Sequence, residues 1–227
     1  MREVRKPDEV IIDKALLLVL MDLVAIRNQS NLAGDRIKCM KLPFLATNQM
    51  FEKKAKGFNL AFFRDKVGPL SKGVYSAWNH LSSLGLLIED RYGFRVTPEG
   101  NALAQAIFND VLCTSANHFF KETIENIALK YGHLSTSRIK QIVYDIEVSL
   151  PSSGMRTKVK DIKLGEDIIL ILEPEEADLM LDVDSAWMET LAIELNPMNK
   201  QGLTKAFADY KEGRILSHEE VWRDVPS

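Results

Sequence analysis

Residues 15–26 are almost continuously apolar, broken by Asp22 and bracketed by Asp13 and Arg27. A helix without a polar stripe has to be covered on more than one side. The first predicted helix, residues 10–29, is therefore expected at the centre of the fold or across a dimer interface. The run is shorter than the ~20 residues a membrane span requires. The acidic Glu3, Asp8 and Glu9 ahead of it do not make the basic start of a signal peptide. Residues 30–34 read as a loop. Asp35 is placed to cap a second helix running through about residue 56, which Pro43 either kinks or splits. Residues 57–67 read as extended.

The pattern becomes most specific from Gly68 onward. Gly68-Pro69 predicts a turn, because proline presets φ and pushes its predecessor out of the α region. Ser71 then stands at an N-cap, and Val74, Trp78, Leu81 and Leu84 follow at i, i+4, i+7 and i+10, which is one helix face. Gly85 supplies the left-handed residue that ends the helix. Residues 86–89 and 94–97 read as two strands around Asp90-Arg91-Tyr92-Gly93. Pro98 opens the next helix, residues 99–109, behind a Thr97 cap. Helix, β-hairpin and helix in that order read as a winged helix-turn-helix.

Residues 119–131 form a further predicted helix, with Phe120, Ile124, Ile127 and Ala128 at helical spacing. Gly132 is its expected stop, and Ser135 or Ser137 starts another helix reaching residue 148. Leu150-Pro151-Ser152-Ser153-Gly154 then interrupts the periodicity and reads as a linker. Beyond it, residues 168–172 are a β-branched run that predicts a strand. Pro174-Glu175-Glu176 suits a helix start. Residues 203–211 are helical in pattern and stopped by Gly213, and Ser217 with Glu220 makes a capping box. The expected fold is mainly α with small β (α+β). It comprises a winged-helix domain with additional helices over residues 1–150 and a C-terminal α/β extension over residues 155–227.

Several of these residues also carry a family resemblance. Lys41-Leu42-Pro43-Phe44-Leu45, Phe62-Phe63-Arg64, Gly68-Pro69-Leu70-Ser71, Leu84-Gly85-Leu86-Leu87-Ile88 and Thr97-Pro98-Glu99-Gly100 together resemble the Panacea or SocA-like domain and its YwgA-like relatives. That group is associated with phage and toxin-antitoxin systems, and its members often act as antitoxins. The resemblance covers about residues 36–110 and implies no catalytic residue. At the other end, the run from Phe207 through Trp222 is similar to the C-terminal tails of small bacterial antitoxins of the RelB or Phd sort.

Charge divides the chain more sharply than its net value of −3 suggests. Through Lys163 there are 24 Lys and Arg against 17 Asp and Glu, a balance of +7; from Leu164 onward there are 5 against 15, a balance of −10. No Lys or Arg occurs between Leu164 and Asn199. A basic front and an acidic back point to different partners, or to a tail that screens the front. Cys39 and Cys113 lack CxxC spacing, which suits a reducing cytoplasm.

Catalytic and metal signatures are absent from this sequence. His80, His118, His133 and His218 have no ligand spacing, and Asp178, Asp182 and Asp184 lack the glycine of a calcium loop, so they read as a solvated acidic face. GxSxG, GxxxxGK[ST] and GxGxxG do not occur. No enzyme, cofactor or metal is expected.

The candidate DNA-reading surface comprises Lys72, Tyr75 and Asn79 on the helix, with Ser71, Ser76 and His80 near them, flanked by Arg64, Lys66, Arg91 and Arg95. Phe207, Tyr210, Val221 and Trp222 form a second candidate surface. They either dock on the protein's own core or lie in a partner's groove. The function expected from these features is that of an antitoxin-like or regulatory interaction protein. It would bind and mask a protein partner, a toxin encoded nearby in the antitoxin case, with operator DNA and a homodimer as further partners. The alternative is a plain winged-helix transcription regulator whose C-terminal part dimerises or senses a ligand.

Overall fold

The computed structural model describes residues 4–214, so Val221, Trp222 and the Ser217–Glu220 capping box lie outside the described residues. The chain is mainly α-helical with small β-sheets. Helix α1 (Pro7–Arg27) is the axis of the molecule. Residues 13–22 of it are all buried, and it packs against helices and strands drawn from most of the chain. Its all-round apolar composition therefore has a direct structural cause: it is covered from several sides. Among the described residues, no helix is long and apolar enough to cross a membrane.

Strand β1 (Leu32–Gly34) comes next, where the hydrophobic pattern suggested only a loop. Helix α2 (Arg36–Glu52) begins at Asp35, whose carboxylate accepts from the Lys38 amide at 2.8 Å. Pro43 lies inside this helix without splitting it, and the Thr47 hydroxyl donates to the Pro43 carbonyl at 2.8 Å. Strands β2 (Ala55–Lys56), β3 (Phe62–Asp65) and β4 (Gly68–Leu70) lead into α3 (Lys72–Ser83). Then come β5 (Leu87–Asp90), β6 (Gly93–Val96) and α4 (Pro98–Ala106), which continues into a π-helical turn over Ile107–Leu112. Helices α5 (His118–Tyr131) and α6 (Thr136–Asp145) complete the helical layer. Gly132 keeps an ordinary helical backbone, unlike a left-handed stop.

The remaining strands are β7 (Glu147–Ser149), β8 (Arg156–Lys158), β9 (Asp167–Ile169) and β10 (Leu179–Met180), and the helices α7 (Ser185–Glu194) and α8 (Pro197–Lys211) come after them. Their pairing corrects the linker expectation. Residues 150–154 are the turn of the β7–β8 hairpin, closed by the Gly154 amide donating to the Leu150 carbonyl at 2.7 Å. Strand β9 then pairs antiparallel with β3, and β10 pairs parallel with β2. Val159, Ile162, Ile168, Ile169, Leu191 and Leu195 all join the core built by the earlier residues. The segment after residue 154 thus shares sheets and core with the segment that precedes it. The expected strand over residues 168–172 is the short β9, and Pro174–Glu176 makes a single 3-10 turn.

Candidate interaction surfaces

Helix α3 is amphipathic in the phase its sequence predicts. Val74, Ala77, Trp78 and Leu81 are buried, and Lys72, Tyr75 and Asn79 are exposed on the other side. Ser71 occupies the N-cap position, but its hydroxyl is fully buried and makes no capping bond. Gly85, at φ +72°, ends the helix in the left-handed region that a side chain disfavours. Strands β5 and β6 pair antiparallel in register from Leu87 opposite Val96 to Asp90 opposite Gly93, and β1 adds a third strand against β6. Thr97 caps α4 by accepting from the Gly100 amide at 3.0 Å, and its hydroxyl donates to the Gly85 carbonyl at 2.8 Å. One side chain thereby ties the end of α3, the hairpin and the start of α4 together.

Between α3 and the hairpin lies a groove of about 410 Å³. Trp78, Leu87 and Phe94 form its apolar floor, and Tyr75, Asn79 and the exposed Ile88 stand along it. Arg36, from the start of α2, closes one side. Its guanidinium grips both oxygens of Glu89, with Nη2 donating to Oε2 at 2.6 Å. That hydrogen bond holds the Glu89 carboxyl below its usual range. The mouth of the groove carries a neutralised pair.

The predicted cations separate into different environments. Arg91 is exposed with its guanidinium 4.6 Å over the Tyr92 ring. Arg95 donates to Asp90 Oδ2 and to Asn31 Oδ1, each at 2.7 Å, and pulls the Asp90 carboxyl down. Lys66 is exposed in the β3–β4 turn. Lys72 lies on a separate cavity of about 710 Å³, beside Arg5. Arg64 corrects its prediction: it is buried, 5.1 Å over the Tyr144 ring, and donates to the Asp65 carbonyl. A cation covered in this way has no free face for a phosphate. His80 is half-buried, and burial, then Lys14 and Arg5, push its pKa down.

The second surface is the C-terminal arm. Asp184 caps α7 through the Trp187 amide at 2.8 Å, and Leu191 and Leu195 seat the helix on the core. The buried Lys14 ammonium donates to the Leu195 carbonyl at 2.9 Å. Pro197 at N1 and the Asn196 cap start α8, and Lys200 pairs with Glu194 at 2.9 Å. No residue of α8 is buried. Leu203, Phe207 and Tyr210 follow at i, i+4 and i+7, a single stripe, and all three are exposed, Phe207 by 61% and Tyr210 by 70%. In front of this arm, Glu175, Glu176, Asp178, Asp182, Asp184 and Glu189 are exposed. Among the described residues, no cluster of side chains is arranged to hold a metal ion.

Sequence reasoning overlooked Arg36, Glu89 and Ile88. Arg36 and Glu89 are 53 residues apart, so no local pattern connects them. Leu203 was legible, one helical turn before Phe207. No family model, curated protein or solved structure matches the chain.

Proposed function

We propose that this chain is an antitoxin-like or regulatory interaction protein that binds and masks a partner protein through its C-terminal arm. The observation that carries this reading is α8, a fifteen-residue helix with no buried residue and an exposed Leu203–Phe207–Tyr210 stripe. Isolated helices of this length are marginal in water, and an amphipathic one gains most from a surface that covers its apolar face. A groove on a partner protein supplies such a surface. The acidic residues in front of the arm favour encounter with a basic partner. The resemblance to antitoxin tails, which includes Phe207 and Tyr210, supports a toxin as that partner, in the cytoplasm.

Helix α3, the β5–β6 hairpin and α4 support reading this part as a winged helix. A second reading, operator DNA, is favoured by Lys72, Tyr75 and Asn79 on the exposed face of α3 and by Arg91 on the hairpin. It is weakened by the carboxylates that already occupy Arg36 and Arg95, since nucleic-acid affinity rests largely on cations free to meet phosphates.

Co-expression with the product of the adjacent reading frame tests the first reading. Wild type should restore growth and co-purify with that product, and Phe207→Ala with Tyr210→Ala should do neither. Rescue by the double variant at wild-type level would discard it. Retardation of the upstream DNA that is lost in Lys72→Ala with Arg91→Ala would move the function to the regulator reading.

A further inference from the structure

The cavity of about 710 Å³ that Lys72 and Arg5 line is bounded by the start of α1, the first turn of α3, and strands β3 and β9. The geometry points to a free α-amino acid with an apolar side chain as its ligand. The ligand carboxylate meets Arg5 and Lys72, its ammonium meets Asp167, and its side chain lies on Val4, Val10, Ala61 and Phe63. This goes beyond the masking function proposed above. It adds a small-molecule site whose lining includes no residue of α8 or of the α3–hairpin groove.

The positive wall is held in place from behind. Arg5 Nη1 donates to the buried Asp13 carboxylate at 3.0 Å, and Asp13 is itself fixed by the Asn59 amide at 2.6 Å. The guanidinium lies against the first turn of α3, where a Cβ on Gly73 would stand 3.1 Å from its carbon. Among the described residues, Nε and Nη2 of Arg5 have no acceptor, and the Lys72 ammonium pairs with no carboxylate. Ser71 gives α3 no side-chain cap, so the positive end of the helix dipole adds to the same wall. The negative charge stands across the sheet. Lys72 lies just beyond β4 and Asp167 lies on β9, the two outer strands of the β4–β3–β9 sheet. Two strand spacings separate those strands by about 10 Å, and no ion pair joins Lys72 to Asp167. The middle strand supplies apolar surface between them, from the half-buried Phe63 and, just before it, Ala61. Unlike charges held too far apart to pair, with apolar surface between, match a small molecule that carries both charges and an apolar body. The cavity volume falls within the range of pockets that take such ligands. Charge also selects against other occupants: Asp167 repels a phosphate, and Arg5 with Lys72 repels a plain amine.

Isothermal titration calorimetry of the full chain with L-phenylalanine and L-leucine tests the inference. Hydrocinnamate, which lacks the ammonium of phenylalanine, and phenethylamine, which lacks its carboxylate, are the comparison ligands. An apolar amino acid should bind, and each comparison ligand should bind about 10- to 100-fold more weakly, as loss of one charged hydrogen-bond partner does. Asp167→Asn should abolish the preference for L-phenylalanine over hydrocinnamate, and Lys72→Ala should narrow the preference over phenethylamine. Both positions are exposed, and circular dichroism confirms that the variants fold. Neither heat nor a rise in melting temperature with either amino acid at about 10 mM, equal affinity for the comparison ligands, or preferences that survive Asp167→Asn unchanged would overturn the inference. Masking of a partner is read separately by co-expression, so failure of one assay leaves the other standing.

Discussion

Trp78 carries its indole into the core, edge-on to Tyr75 and 4.7 Å from the Phe94 ring, whereas Lys72 on the same helix keeps its ammonium in solvent. Removing the buried group leaves a cavity, so Trp78→Ala should cost ~3–5 kcal/mol. Lys72→Ala should leave the urea midpoint nearly unchanged. Similar midpoints for the two variants would contradict this packing. Buried charge sets a second expectation. Asp13 is fully buried, accepts from the Asn59 amide at 2.6 Å and pairs with Arg5 at 3.0 Å. Burial, opposed by Arg5, raises its pKa to about 6. The native state therefore holds a proton there that the unfolded chain releases near its ordinary value of about 4. This contribution to stability is complete below that lower value and is lost as pH rises through 6, a change of about 3 kcal/mol. Burial moves Lys41 the other way, down to about 8, so its contribution is lost as pH falls through 8. The difference in stability between wild type and Asp13→Asn should accordingly slope between pH 4.5 and 6.5 and level off above. A flat difference would show that Asp13 titrates as an exposed carboxylate does. Local positions such as Trp78 and Thr97 were legible because a cap or a helix phase is set within a few residues. The burial of Arg64 was not, since it depends on Tyr144 arriving from a distant helix.

Elements were legible in proportion to their length and to how locally they are stabilised. Helices α3 and α5 announce themselves by spacing. Strand β1, three residues long, has no period to show and exists because β6 pairs with it from about sixty residues away. The β5–β6 hairpin was visible through its turn, and its glycine carries a sharper consequence than the sequence suggested. Gly93 has φ +128°, and a Cβ there would run into the Gly34 backbone of β1. Gly85 has φ +72° with nothing close to where a Cβ would stand. Gly85→Ala should therefore cost only the left-handed strain, roughly 1–2 kcal/mol. Gly93→Ala should cost more, because the backbone of β1 cannot rotate away as a side chain would. Chemical denaturation of both variants decides this. Equal losses would mean that β1 yields and that the third strand is not rigidly placed. The same rigidity bears on function, since Ile88 and Glu89 stand on the strand that this sheet orients toward α3.

At the scale of the whole molecule, the two ends of the chain are coupled by pairing that no local pattern could reveal. The Pro/Ser/Gly composition of residues 150–154 fits a linker and a hairpin turn equally well, and only the strands on either side distinguish them. The charge change near residue 164 is real, yet it is a property of the surface, because the buried faces of the later segment are as apolar as the rest. This architecture sets different outcomes for two truncations. A chain ending at Leu150 loses the partners of β3 and β2 together with buried Val159, Ile162, Ile168, Ile169, Leu191 and Leu195. At ~1.5–3 kcal/mol for each buried aliphatic side chain, that loss matches or exceeds the ~5–15 kcal/mol by which a domain is ordinarily stable. It should be insoluble or unfolded. A chain ending at Asn196 keeps α7, with Leu191 and Leu195 on the core and the Lys14 contact to the Leu195 carbonyl, and discards α8 with the residues after it. Since no residue of α8 is buried, this shorter chain should lose only the helical ellipticity of the 15 residues of α8 and melt within a few degrees of the full chain, while failing to neutralise or co-purify with the partner protein. Full partner binding by the chain ending at Asn196 would transfer recognition away from the arm. Unfolding of that chain would show that α8 supports the core through contacts its exposure does not suggest.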